Sequence, residues 1–120
     1  MKILAFAFMT LCASCFCKEP EEVICSTEYV YGLHITFKNA STNEVVTEGL
    51  TVIATENDYE ETLMNDPGSD VFYGAGDRPG NYIITVTSDN YQTFISGVIP
   101  VGGDVCHVFT ESLEITLQPN

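Results

Sequence analysis

Apolar and polar residues alternate strictly in Leu33-His34-Ile35-Thr36-Phe37-Lys38. A period of two describes a strand with one buried and one wet face. The alternation returns in residues 50–55, with Leu50, Val52 and Ala54 inward, and in residues 82–87, with Tyr82, Ile84 and Val86 inward. It returns again in Leu113-Glu114-Ile115-Thr116-Leu117. Shorter extended runs are predicted at residues 59–64, 71–73, 91–95, 98–101 and 106–109, and Pro100 suits an edge or a bulge. Turn clusters separate these runs. They include Asn39-Ala40-Ser41-Thr42-Asn43, residues 65–70, Ser88-Asp89-Asn90 and Gly102-Gly103-Asp104, and the longest breaker run is 74–80. No segment sustains a 3.6 period, and Val, Ile, Thr, Tyr and Phe dominate the runs. About seven or eight short strands, spaced about 8 to 12 residues apart, predict an all-β sandwich.

The N-terminus breaks this pattern. Met1-Lys2 leads into an apolar run from Ile3 to Leu11, interrupted only by Thr10, and small residues follow. One positive charge, a short apolar run and small residues at a cut site describe a secretory signal. The run falls short of the roughly 20 apolar residues a spanning helix needs. Leu11-Cys12-Ala13-Ser14-Cys15 resembles a bacterial lipoprotein signal, in which a small pair precedes a Cys that is lipidated and becomes the new N-terminus. The resemblance implies a signal over residues 1–14, lipidation of Cys15 and a membrane anchor through that lipid. Cys12 stands where the family prefers Leu, and plain cleavage after Ser14, giving a secreted soluble protein, is the competing reading. By resemblance to Gram-negative lipoproteins, Phe16 rather than Asp after Cys15 implies the outer membrane of a cell envelope, facing either the periplasm or the outside. Residues 15–24 read as a charged tether interrupted by Pro20, and residues 25–120 as one body.

Composition narrows the partners. Asp and Glu number 17 against 4 Lys and Arg, a formal net charge of −13 over 120 residues. So large an acid excess argues against nucleic acid, whose phosphates need clustered cations. It argues equally against electrostatic docking on anionic lipid. At 45% hydrophobic residues the chain is too apolar for a disordered acidic tail. Loss of residues 1–14 would remove Lys2 and no acid, leaving 106 of the 120 residues and a charge of −14.

Five cysteines sort by place. Cys12 leaves with the signal and Cys15 takes lipid. Cys25 and Cys106 flank the body, and in an oxidising compartment such a distant pair reads as a disulfide. Cys17 is left over: free, paired with another chain, or itself the lipidated residue. The body holds no C-x-x-C pair and only His34 and His107 could join a zinc site, so no metal or other cofactor is expected.

The order of these features resembles the carboxypeptidase regulatory-like domain, a transthyretin-like β-sandwich. The resemblance rests on Gly32-Leu33-His34-Ile35-Thr36-Phe37, Ala40-Ser41-Thr42-Asn43 and Leu50-Thr51-Val52-Ile53-Ala54. It continues in Asp58-Tyr59-Glu60-Glu61-Thr62, residues 74–82, Asn90-Tyr91, Cys106-His107-Val108 and residues 113–119. It covers nearly all of the predicted body. In small envelope lipoproteins of this type a Cys before the first strand recurs with a Cys-His-Val near the last, which also implies pairing of Cys25 with Cys106. The family implies a fold rather than an activity: such domains accompany catalytic domains or stand alone on tethers.

Candidate chemistry is sparse. Asp58, Glu60 and Glu61, with nearby Glu56, form the densest acid cluster. It reads as a solvated strand face, with a Ca²⁺ site as the alternative, although no EF-hand pattern is present. Arg78 is the one Arg of the chain and stands beside Asp77 in the Gly-rich run. It reads as a fork fixing that loop, with a grip on a ligand carboxylate or phosphate as the functional alternative. Six Tyr offer either core packing or, in an exposed subset, a platform for a glycan or an envelope protein. Arg78, Asp77 and Tyr59 are the candidate ligand contacts. No G-x-S-x-G occurs and Cys106 is committed to the disulfide, so no catalytic residues are assigned. The expected role is non-catalytic binding or structural work at the cell envelope, with a metal-assisted hydrolase as the remote alternative.

Overall fold

The computed structural model describes residues 24–120. The predicted signal, most of the tether, and Cys12, Cys15 and Cys17 lie outside the described residues. Nine strands form within them: β1 (Tyr31–Asn39), β2 (Thr51–Glu56), β3 (Tyr59–Thr62), β4 (Met64–Asn65) and β5 (Phe72–Gly76), then β6 (Gly80–Thr87), β7 (Phe94–Ile95), β8 (Ile99–Val101) and β9 (Glu111–Leu117). They make two sheets, and the fold is all-β and sandwich-like as the alternation predicts. The first sheet runs β4-β5-β1-β9 and the second β3-β2-β6-β7, with β8 pairing the other end of β6. β1 and β9 lie parallel, and the remaining pairs are antiparallel.

The alternating residues meet between the sheets. Leu33, Ile35 and Phe37 from β1 and Tyr82 and Ile84 from β6 are all 0% exposed. Each such side chain contributes about 1.5 to 3 kcal/mol of transfer free energy. Phe37 and Phe72 meet edge to face at 5.2 Å. Alternation breaks at Gly32, buried like its neighbour Leu33. A Cβ there would lie 2.6 Å from the Val101 side chain, so only glycine lets β8 close on β1.

Three predicted strands differ. The run 59–64 is split at Leu63, which is buried and donates its N–H to Val52. β3 therefore stays in the second sheet while β4 joins the first: one continuous extended run in sequence serves both layers. In the run 91–95 only Phe94–Ile95 pairs as a strand, and Tyr91 makes a single bridge to Pro119. The run 106–109 is a turn with one bridge, Gly103 to Val108, because the Asp104 carboxylate bends it by accepting the N–H groups of Cys106 and His107, both at 2.9 Å. Pro100 does sit in a strand with an open edge, opposite Asn81.

The same bend presents Cys106 to Cys25. The two form a disulfide with a Cα separation of 5.3 Å across 81 residues of sequence. In the chain-entropy description, closing such a loop contributes about 4.5 kcal/mol.

Candidate functional site

The half-buried Arg78 side chain folds back onto residues of the second sheet at one end of the core. Its Nη1 donates to Glu56 Oε1 at 2.8 Å and to the Tyr82 hydroxyl at 2.9 Å. The Tyr82 hydroxyl in turn donates to the Arg78 carbonyl at 2.7 Å. The guanidinium lies 3.5 Å from the centroid of the Tyr59 ring, a close cation–π stack. Glu56 is completed by the Asn81 N–H at 2.7 Å, and Tyr59 donates to Glu61 at 2.8 Å. Hydrogen bonds from the Asn81 N–H and then from Arg78 hold the Glu56 carboxyl below its ordinary value. Burial, reinforced by the Glu61 carboxylate, pushes the Tyr59 phenol up to about 12. This inner cluster is one guanidinium held by two phenols and a carboxylate, each partnered within the chain.

The register of the β2–β3 hairpin explains why it forms. Glu56 faces Tyr59 and Ala54 faces Glu61 across the hairpin. Ala54 is fully buried, so Glu56, Tyr59 and Glu61 share its core-directed face, while Glu60 pairs with Thr55 on the other. The acid cluster is thus divided rather than gathered on one wet face. Glu56 and Glu61 are internal acceptors, and Asp58 and Glu60 are exposed. Among the described residues no group of three or more His, Cys, Asp or Glu is placed to hold a metal ion.

The predicted breaker run 74–80 begins inside β5, which extends to Gly76, and the passage from β5 into β6 carries backbone strain. Ala75, within β5, and Asp77, just after it, have φ of 54° and 45°, a region L-residues seldom adopt, at a cost of order 1–3 kcal/mol each. Three contacts hold it. The Ala75 N–H donates to both Glu61 oxygens at 3.1 and 3.2 Å, and the Asp77 N–H donates to the Val30 carbonyl at 2.7 Å. The Asp77 carboxylate lies 3.2 Å from His107 Nδ1. Asp77 and Arg78, adjacent in sequence, therefore point to different partners. His107 Nε2 lies 3.0 Å from the Ser26 hydroxyl, which completes a Ser26–His107–Asp77 line beside the disulfide. Nothing local in the sequence announced that line, since Ser26 and His107 are 81 residues apart.

A second aromatic group stands on the outer side of the first sheet. Four rings follow one another there. Tyr29 meets Tyr31 at 5.2 Å, Tyr31 meets Tyr73 at 5.3 Å, and Tyr73 meets His34 at 4.9 Å. His34 and Tyr73 are register partners of β1 and β5, on the face opposite Leu33 and Ile35. Tyr29 lies directly over Gly76, where any Cβ would collide with its phenol. These rings wall a cleft of about 690 Å³ whose remaining lining includes Glu28, Glu61, Asp66 and Met64. The lining contains no Lys and no Arg. Tyr29 and Met64 are 61% and 68% exposed, so apolar surface is open to solvent here. A smaller cavity of about 310 Å³ adjoins it at His34 and extends along Thr36, Leu113 and Glu114.

The candidate contacts therefore divide. Arg78 and Tyr59 come together but bind each other, and Asp77 is turned to His107. The exposed Tyr subset is the open surface, and its members could not be chosen from sequence because they assemble through strand register. No family model matches the chain, and no curated protein matches it.

Proposed function

We propose that this chain is a non-catalytic binding module of a bacterial cell envelope, anchored by lipid at Cys15 and presenting the outer face of its first sheet to a ligand. The observation that carries the binding role is the cleft walled by Tyr29, Tyr31, Tyr73 and His34. Its volume lies within the range of about 300 to 1,000 Å³ of small-ligand sites, and convergent rings with a few polar groups are the usual lining of such sites. The anchor rests on Ala13-Ser14-Cys15 after the apolar run. The resemblance to carboxypeptidase regulatory-like domains supports a tethered, activity-free sandwich. Mass spectrometry and detergent partitioning of the chain against Cys15→Ala test the anchor. A lipid-sized mass difference and loss of detergent partitioning in the variant are expected; equal masses and equal partitioning overturn it, leaving the secreted form.

One observation favours a second reading. Ser26, His107 and Asp77 stand in the hydrogen-bond order of a nucleophile, its base and an orienting carboxylate. Neither cleft includes Ser26 or His107, so no substrate cavity accompanies them. Labelling of Ser26 by a fluorophosphonate would establish a hydrolase; an unlabelled serine leaves the binding role in place.

A further inference from the structure

We propose that the outer cleft takes a basic peptide segment, with an arginine or lysine side chain stacked among Tyr29, Tyr31 and Tyr73 and paired to Glu28 and Asp66. The proposal rests on the binding reading above and names its ligand class.

The inner cluster supplies the pattern. There the chain's own guanidinium sits over Tyr59, reaches Tyr82 and pairs with Glu56. The outer cleft has the same kinds of group: phenol rings a few ångströms apart and carboxylates at their rim. What it lacks is the cation. Glu28 and Asp66 are exposed, and among the described residues neither carboxylate has a hydrogen-bond or ion-pair partner. A cation entering this cleft gains a ring face and a carboxylate together, an attraction that grows as water is displaced. The chain's net charge of −13 adds long-range steering toward a positive partner.

The shape favours a chain over a compact ligand. The smaller cavity continues from His34 past Thr36 and Leu113, giving an extended segment room beyond its anchoring side chain. Glu114 at its far side is already paired with Lys38 at 3.1 Å, so the charge complementarity is concentrated at the aromatic end. A neutral glycan would use the rings but would leave Glu28 and Asp66 without an ionic partner.

Isothermal titration of the full chain in detergent with a capped tetra-arginine peptide tests this, with a neutral glucose tetrasaccharide as the contrasting probe. The peptide is expected to bind and to lose at least tenfold in affinity between 50 and 500 mM NaCl, on the order expected when a few exposed charge pairs are screened. Tyr31→Leu, which keeps the charge, is expected to weaken binding at least fivefold, and Tyr29→Leu to do the same should the first variant fold poorly. The Glu28→Gln/Asp66→Asn double variant is expected to weaken it likewise. Glu44→Gln/Glu48→Gln, which removes as much charge away from the cleft, is expected to leave it unchanged. Equal weakening by both double variants, with Tyr31→Leu silent, would mean a diffuse polyanion and overturn the proposal. Binding of the tetrasaccharide but not the peptide, lost in Tyr31→Leu, would overturn the ligand class and keep the binding face. Binding of neither probe would overturn the basic-peptide assignment, while the Cys15 test stands apart from all three outcomes.

Discussion

The inner cluster at Arg78 and the outer cleft at Tyr31 are built from the same side chains, yet one is closed and the other open. In the first, Tyr59, Tyr82 and Glu56 surround a guanidinium that the chain itself supplies, and Glu61 accepts the Tyr59 hydroxyl. In the second, Tyr29, Tyr31 and Tyr73 stand beside Glu28 and Asp66 with no cation in the lining. Phenols and carboxylates do structural work where their partners are internal and remain free to recognise where they are not. A chain with a single Arg can complete only one such arrangement with Arg.

The difference can be attacked in order of expected effect. The Cys25→Ser/Cys106→Ser double variant should lose about 4.5 kcal/mol in urea unfolding, and should free the segment that carries Glu28 and Tyr29. A loss below about 1 kcal/mol would mean that the segment is held mainly by Ser26 and His107. Tyr82→Phe removes the hydroxyl that accepts from Arg78 Nη1 and donates to the Arg78 carbonyl at the buried end of the inner cluster, and should cost about 1 to 3 kcal/mol. It should leave binding in the outer cleft unchanged.

The inner cluster and the Asp104 bend should also make stability respond to pH, while the cleft does not determine it. The carboxyls of Glu56 and Asp104 sit below their ordinary values of 4.5 and 3.8, so the folded chain holds these protons less tightly than the unfolded one. Their contribution is complete above that range and is lost as pH falls through the lower folded values. The Tyr59 phenol is raised from 10.0 to about 12, so its contribution is complete below pH 10 and is lost as pH climbs toward 12. Melting temperature against pH should therefore fall at both ends, and Tyr59→Phe should flatten the alkaline limb alone. The smallest effect belongs to the outer face. Tyr31→Leu should change stability by no more than about 0.5 kcal/mol, since Tyr31 is an exposed residue at a strand end.

What was legible in the sequence was what period two encodes. Leu33, Ile35 and Phe37, and Tyr82, Ile84 and Val86, are buried as their alternation requires, and Cys25 and Cys106 pair. Residues 59–64 misled because alternation reports a wet and a dry face but not which sheet a strand joins. Residues 106–109 misled because the Asp104 side chain outcompetes a strand by capping two N–H groups, a local effect that β propensity does not weigh. Arg78 and Tyr59 each stand out in the sequence as candidate contacts, but their mutual stack depends on the hairpin register, which no local pattern spells out. The outer Tyr rings are legible only as an unspecified subset of six; with His34 they come from two separate stretches, residues 29–34 and Tyr73, that the pairing of β1 with β5 brings together.

The separation of a filled inner site from an open outer one is tested most directly by amide chemical-shift mapping of the full chain in detergent during titration with capped tetra-arginine. Saturable shifts at Tyr29, Tyr31, His34 and Tyr73, with Glu56, Arg78 and Tyr82 unmoved, are the predicted result. Shifts centred on Glu56, Arg78 and Tyr82, with the outer rings unmoved, would contradict it.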